Sequence, residues 1–454
     1  VTNLSSFDEG QTVELDASGS TDADGDPLTF TWSQTAGPTA ELTVNGSRAS
    51  YVLPEVDTDT AVTIQISISD GTVTRSTTST VTSENIVLTP TIDAFGAPEA
   101  VLSDVTDPQK LAATASGVIG SPAAYWMVTG TGTSGSVSFF DPPIAGSFSS
   151  SQQTPLAENV SGNVSQAANI FTSRNHVDFA LGFEVEGTVR LFQQGFTGQP
   201  ASEKTSFNAP NVCALAPLFS FDVPFLNDLA VGQRGQGLTI FRNNANAGNV
   251  AEAGQFDTSI DITDTGTFCH IKPVNGFREF YAYNQDDGLI HSWTATGDTT
   301  FAKLPNIDLQ IPTNGELVDF EVVGQSGRFQ VIAALVTNGQ HDGDHRIIIQ
   351  YTPFSGIGTP TRIERNWRKG IPTDLTILGS ATGIDTPDIA VTLGSAPYVI
   401  VLENSAFPTL GDTEPNFSEV QYFETQLGAS EISFGWIAYK DKGEVEFNRP
   451  VNLN

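Results

Sequence analysis

The stretch Asn227-Asp228-Leu229-Ala230-Val231-Gly232 leads across Gln233-Arg234-Gly235-Gln236-Gly237 into Leu238-Thr239-Ile240-Phe241. Two short apolar runs flank a turn rich in glycine, which predicts a β-hairpin. The pattern recurs along the chain. Pro387-Asp388-Ile389-Ala390-Val391 leads to Tyr398-Val399-Ile400-Val401-Leu402, and Val177-Asp178-Phe179-Ala180-Leu181 leads to Val189-Arg190-Leu191-Phe192. Further pairs occupy residues 124–128 and 137–140, 280–283 and 289–293, 329–333 and 346–350, and 435–439 and 444–447.

Seven hairpins at intervals of roughly fifty residues predict a ring of four-stranded blades, a β-propeller. The repeat is degenerate enough to accommodate six or eight blades as well. A strand ahead of most pairs, as at residues 213–221, 268–274, 318–323 and 375–379, is expected to line a central channel. A strand from residues 85–100 is expected to complete the last blade. The runs Asn227-Asp228-Leu229-Ala230-Val231-Gly232 and Pro387-Asp388-Ile389-Ala390-Val391-Thr392 resemble the FG-GAP or VCBS type of propeller repeat. The calcium loop of that family is absent here: Asp385-Thr386-Pro387-Asp388 and Asp261-Ile262-Thr263-Asp264 are poor substitutes. The resemblance therefore implies the fold and not its metal sites.

Residues 1–88 read differently. Thr12-Val13-Glu14-Leu15, Leu28-Thr29-Phe30-Thr31-Trp32 and Thr63-Ile64-Gln65-Ile66-Ser67-Ile68-Ser69 alternate with period two, and turns separate them. This predicts a β-sandwich with Trp32 in its core. The chain is expected to be all-β: a sandwich over residues 1–88 and a propeller over 89–454. The run Asp16-Ala17-Ser18-Gly19-Ser20-Thr21-Asp22-Ala23-Asp24-Gly25-Asp26-Pro27-Leu28-Thr29-Phe30-Thr31-Trp32 resembles the PKD-type immunoglobulin-like module. That resemblance implies an extracellular surface protein and gives no reaction. Asp22, Asp24 and Asp26 alternate in a tight loop, and Asp70 ends a strand within reach. Convergent hard oxygens suit calcium, at affinities of about 10⁻⁴–10⁻³ M in extracellular modules. The alternative is an ion-free Asx-turn.

The chain carries 52 acidic and 20 basic residues, for a formal charge of −32. Such a surface repels nucleic acid and suits cations, basic proteins or a saline medium. No stretch approaches the roughly 20 apolar residues of a membrane helix. The chain opens inside a folded module, which leads us to expect a leader or upstream region ahead of it.

Cys213 and Cys269 fall at equivalent places in consecutive repeats. A disulfide joining neighbouring inner strands is reasonable in an oxidising compartment, and two buried thiols are the alternative. His341, Asp342, Asp344 and His345 could hold a transition metal, or form a solvated hairpin tip. Middle-strand hairpins are expected to emerge on one face, which collects Glu184, Glu186, Arg234, Asp286, Asp287, the run from His341 to His345, Lys440 and Lys442 into a mixed polar ring. Arg362, Arg365, Arg368 and Lys369 surround Trp367, the one local concentration of positive charge. It reads as an interaction patch or as charge protecting an edge strand.

No nucleophile elbow, zinc-protease motif, phosphate-binding loop or dinucleotide fingerprint is present. The sequence thus points first to a secreted or cell-surface binding or structural protein. Adhesion and a subunit of a surface filament or layer are the roles in view, with protein, glycan or further copies of itself as partners. The alternative is a carbohydrate-active or lactonase-like hydrolase or lyase with carboxylates and a divalent ion at the channel mouth.

Overall fold

The computed structural model describes residues 6–91, 100–102, 108–113, 125–129, 136–140, 154–155, 165–173, 176–193, 202–219, 227–243, 256, 258–262, 264–274, 279–297, 300–312, 315–325, 329–337, 345–353, 361–367, 369–378, 388–404, 417, 419–433, 436–439, 442 and 444–447. Every named element among them is a β-strand.

The N-terminal strands are β1 (Ser6–Asp8), β2 (Thr12–Asp16), β3 (Thr29–Ala36), β4 (Thr43–Asn45), β5 (Arg48–Val52), β6 (Thr60–Ser69) and β7 (Thr74–Glu84). They form two sheets, ordered β1-β7-β6-β3 and β2-β5-β4. Period-two alternation decides the faces. On β6, Val62, Ile64 and Ile66 are buried, while Thr63, Gln65 and Ser67 face outward. Val13, Leu15, Tyr51, Leu53 and Val81 meet them from the other strands. Trp32 is only half-buried, packed against the margin of this core with its Nε1 donating to the Gly46 carbonyl at 3.1 Å. Tyr51 and Leu53 hold the centre that Trp32 was expected to fill.

The remaining strands make seven four-stranded antiparallel sheets. The chain enters through β8 (Ala100–Leu102). Blade 1 holds β9 (Pro108–Ala113), β10 (Tyr125–Thr129), β11 (Ser136–Phe140) and β12 (Thr154–Pro155). Blade 2 holds β13 (Gln166–Ser173), β14 (His176–Phe183), β15 (Thr188–Gln193) and β16 (Ser202–Asn208). Blade 3 holds β17 (Val212–Phe219), β18 (Asn227–Gln233), β19 (Gly237–Arg242) and β20 (Thr258–Ile262). Blade 4 holds β21 (His270–Pro273), β22 (Glu279–Asn284), β23 (Leu289–Gly297) and β24 (Thr300–Lys303). Blade 5 holds β25 (Glu316–Gln325), β26 (Phe329–Thr337), β27 (His345–Pro353) and β28 (Thr361–Trp367). Blade 6 holds β29 (Pro372–Leu378), β30 (Asp388–Leu393), β31 (Tyr398–Leu402) and β32 (Gln421–Glu424). Blade 7 holds β33 (Glu431–Ser433), β34 (Trp436–Tyr439) and β35 (Glu444–Phe447), and β8 is its fourth strand.

The first strands of the blades neighbour one another in order, and β33 returns to β9. The sheets therefore close into a seven-bladed β-propeller with these strands around its axis. Closure uses β8, whose Ala100 lies opposite Phe447, a little downstream of the expected 85–100.

Apolar clusters lie between successive blades. Ala214, Ala230 and Ile240 of blade 3, for example, pack on Phe268, Phe280 and Trp293 of blade 4. The recurring motif acquires a physical reason here. A Cβ on Gly232 would stand 1.9 Å from the Phe268 carbonyl oxygen, so only glycine lets the next blade approach. The Asp of the motif fastens strand two to the end of strand three. Asp228 accepts from the Asn243 backbone N–H, and Asp388 from that of Asn404, each at 2.8 Å.

The sandwich docks on blade 6. Glu9 is buried, and its carboxylate accepts the backbone N–H groups of Val56 and Ile86 at 2.7 Å each. Lys369 of the propeller reaches the same carboxylate at 3.0 Å. The segment after β7 then lies along the blade: Tyr398 donates its hydroxyl to the Leu88 carbonyl, and Thr91 N–H donates to Tyr422 O.

Candidate functional site

On β21, β25, β29 and β33 buried residues pack between blades, and described residues beside them escape that packing. Several of the latter are charged. His270 and Lys272 flank buried Ile271; Asp319 and Glu321 flank buried Phe320; Asp374 precedes buried Leu375; Glu431 precedes buried Ile432. Four consecutive blades thus bring six titratable groups together at the axis.

Lys272 Nζ donates to Asp319 Oδ2 at 3.0 Å and to Glu321 Oε1 at 2.7 Å. His270 Nδ1 lies 3.5 Å from Asp319 Oδ1. Asp374 Oδ2 accepts the Ile432 backbone N–H at 2.9 Å, and so ties blade 6 to blade 7. The environments drive these carboxyls apart. Burial by itself would raise Asp319, but Lys272 and His270 overcome it and hold the group well below the usual carboxylate range. Asp374 has no such neighbour in contact; burial, then Glu431 and Asp319, push it well above that range. Glu321 is raised by burial in spite of Lys272. Burial opposes the charge on Lys272, yet Asp319 and Glu321 raise it overall. Two carboxyls pushed in opposite directions within one channel is the arrangement that acid–base chemistry uses. The same excess of acid also suits an incoming cation.

Sequence reasoning did not find this cluster. Its one signal was charge at alternate positions within otherwise apolar strands, as in Glu316-Leu317-Val318-Asp319-Phe320-Glu321-Val322-Val323. Such charge is as common on a solvated strand face.

The residues singled out from sequence have other surroundings. Asp22 Oδ1 accepts the backbone N–H groups of Asp24 and Asp26, and Asp70 Oδ1 accepts those of Thr72 and Val73. Both are Asx-turns. Among the described residues no three His, Cys, Asp or Glu side chains are gathered tightly enough to hold a metal ion, so a calcium set from Asp22, Asp24, Asp26 and Asp70 is not assembled in this conformation. His341, Asp342 and Asp344 lie outside the described residues. His345 is not at a solvated tip: it is fully buried, with Nδ1 3.0 Å from Thr337 Oγ1 and its ring beside Trp367.

The Arg/Trp cluster does not form one exposed patch. Trp367 is buried and donates Nε1 to the Gly370 carbonyl. Arg362 pairs with Glu364 on its own strand and reaches Gln310, while Arg365 donates to the Phe417 carbonyl at 2.6 Å. Lys369 holds the sandwich, and Arg368 lies outside the described residues. At Arg362, Arg365 and Lys369 the positive charge is spent within the molecule, because carboxylates and carbonyls lie within reach at each of the three.

Cys213, at the start of β17, and Cys269, just ahead of β21, form a disulfide between blades 3 and 4. On the hairpin face, Arg234 and Glu184 join adjacent tips at 2.7 Å. Nearby, His291 lies between Asp264 and Asp287, at 2.9 and 2.8 Å.

No family model matches the sequence, and no curated protein matches it. Two solved structures of β-propeller proteins are similar in backbone. One is the periplasmic gluconolactonase PpgL of Pseudomonas aeruginosa, with TM-score 0.51 and 13% identity over 85% of this chain and 96% of that one. The other is a chain from the structure described as "COPII on membranes, outer coat vertex", with TM-score 0.50 and 13% identity over 78% of this chain and 85% of that one. At this identity both likenesses speak to the fold alone.

Proposed function

We propose that this chain is a secreted or cell-surface protein with a binding or structural role, its propeller an interaction platform and its sandwich a rigidly mounted contact module. The observation that carries the reading is the mounting itself. A buried ion pair, a tyrosine hydroxyl and a backbone hydrogen bond fix the sandwich on blade 6, as a load-bearing or partner-presenting subunit requires. The disulfide across blades 3 and 4 supports an oxidising compartment. The acidic balance supports a soluble, cation-rich setting. A structural neighbour comes from an assembled coat, which fits a platform role without specifying one.

The second reading is a lactonase-like or carbohydrate-active hydrolase. Asp319 would act as the ionised group and Asp374 as the proton donor; their opposed environments in one channel favour it. Light scattering of the native chain, with and without calcium and at low and high salt, separates the two. Species larger than a monomer, whose size responds to chelator or salt, are expected. A salt-indifferent monomer that hydrolyses lactones or glycosides, and loses that activity in Asp374→Asn, would replace the first reading by the second.

A further inference from the structure

Edges of β-sheets invite pairing with other chains, and most proteins blunt them with charge or keep them short. This molecule does so at one edge after another. In the sandwich, β1 and β4 have three residues each, and β2 carries Glu14 and Asp16. On the propeller rim, β16 carries Glu203 and Lys204, β20 Asp261 and β24 Lys303. Strand β28 carries Arg362, Glu364 and Arg365, and β32 ends in Glu424.

Strand β3 is the exception among the described outer edges. It spans eight residues, Thr29-Phe30-Thr31-Trp32-Ser33-Gln34-Thr35-Ala36, with no charge and no proline. Among the described residues it pairs only with β6, and the register is regular until the shift between Gln34 and Ala36. A second observation lies beside it. The inward side chains of this margin are not fully covered: Trp32 is half-buried, and Val44 on β4 is 49% exposed. Among the described residues, the sandwich is open along the side where β3 has no neighbouring strand.

The outer face continues the pattern. Thr31, Ser67 and Ser76 form one row across β3, β6 and β7, and Ser33, Gln65 and Thr78 form the next. Hydroxyls in this sheet already bond across strands, Ser67 to Ser76 at 2.8 Å and Thr63 to Thr80 at 3.0 Å.

We propose that β3 pairs antiparallel with β3 of a second copy of this chain, joining the two sandwiches edge to edge through one continuous sheet. The uncharged edge admits a second copy as its occupant. In a chain of net charge −32, two copies repel almost everywhere, and β3 is a long strand edge where backbones can meet without opposing like charges. Two-fold pairing of a strand with itself is self-complementary by symmetry. Because side chains alternate, only even registers place inward residues opposite inward ones. Centred on Trp32, the pairing sets Trp32 against Trp32 of the second copy, over the open margin. Thr31 then stands opposite Ser33 of the second copy, repeating the hydroxyl pairs seen between β6 and β7. The proposal rests on the binding-or-structural reading only for its partner; the channel chemistry does not enter it.

Sedimentation of the full chain over a concentration series tests it, with hydrogen exchange at β3. A dimer is expected whose formation slows exchange of the β3 amides. Thr31→Lys/Ser33→Lys opposes lysines across the axis and should raise the dissociation constant about tenfold or more. Thr78→Lys places one lysine on the same face but on an interior strand, and should change it less than about twofold. A wild-type chain that stays monomeric at every concentration overturns the proposal. So does a dimer whose β3 amides exchange as in the monomer, or equal weakening by Thr78→Lys. Large salt-sensitive species that keep β3 unprotected would overturn this contact while leaving the binding-or-structural reading in place.

Discussion

Lys369→Met is the substitution that interrogates the two-domain construction most directly. Glu9 is 1% exposed and its carboxylate has three donors: Val56 N–H, Ile86 N–H and Lys369 Nζ. Lys369 Nζ also donates to Asn85 Oδ1 at 2.6 Å. Methionine keeps the stem and removes the ammonium, which leaves a carboxylate in the interface with two backbone amides as its only donors from this group. Breaking a buried pair from one side costs about 3–5 kcal/mol. The two amides retain part of the carboxylate's solvation, so the lower end applies, about 3 kcal/mol, or roughly a hundredfold in the opening equilibrium. The assay is hydrogen exchange at Val56 and Ile86, whose amides report on Glu9, beside denaturant unfolding of the whole chain. Both amides should exchange faster in Lys369→Met, and small-angle scattering should show a broader distribution of domain orientations. A Glu9→Leu/Lys369→Met double variant should not recover the loss, because the amides of Val56 and Ile86 would then have no acceptor. If Lys369→Met stays within about 0.5 kcal/mol of the parent, with unchanged exchange at both amides, the pair does not hold the domains and the reasoning fails.

The disulfide closes a loop of sequence separation 56, so Cys213→Ser/Cys269→Ser should lose about 4 kcal/mol by the chain-entropy estimate, read by calorimetry against the oxidised parent. Burial pushes Asp388 up to about 6 from an unfolded value of 3.8, against the pull of the Asn404 hydrogen bond. The native state therefore binds more protons than the unfolded chain between these values, and stability should fall by about 3 kcal/mol as pH rises from about 4 to above 6. Asp388→Asn should flatten that part of the unfolding profile; a profile unchanged from the parent would count against it. In the channel, Asp374→Asn should be tolerated because burial, Glu431 and Asp319 already disfavour the charge on that carboxyl, whereas Lys272→Ala should cost about 3–5 kcal/mol by leaving Asp319 and Glu321 without their shared cation. Urea titrations of both variants compare the two, and equal losses would contradict the assignment.

Much of the fold was legible in the chain because its signals are local. Apolar alternation marks strands, glycine marks turns, and the spacing of hairpins such as 227–241 and 387–402 marks blades. The equivalence of Cys213 and Cys269 in neighbouring repeats could be read for the same reason. What escaped was set by which strands become neighbours. The Arg/Trp cluster looked like a surface patch because local sequence cannot show that Glu9, some 360 residues upstream, meets Lys369. Trp32 looked like a core residue because alternation specifies a face and not its depth.

The channel shows the division most clearly. His270, Lys272, Asp319, Glu321, Asp374 and Glu431 are ordinary charged residues along more than a hundred and fifty positions of chain. Alternation alone determined that each would leave the packing between blades. Only closure of the ring, β33 against β9, decided that they share one desolvated axis. Their charges interact strongly there because a low-dielectric channel, and not water, lies between them.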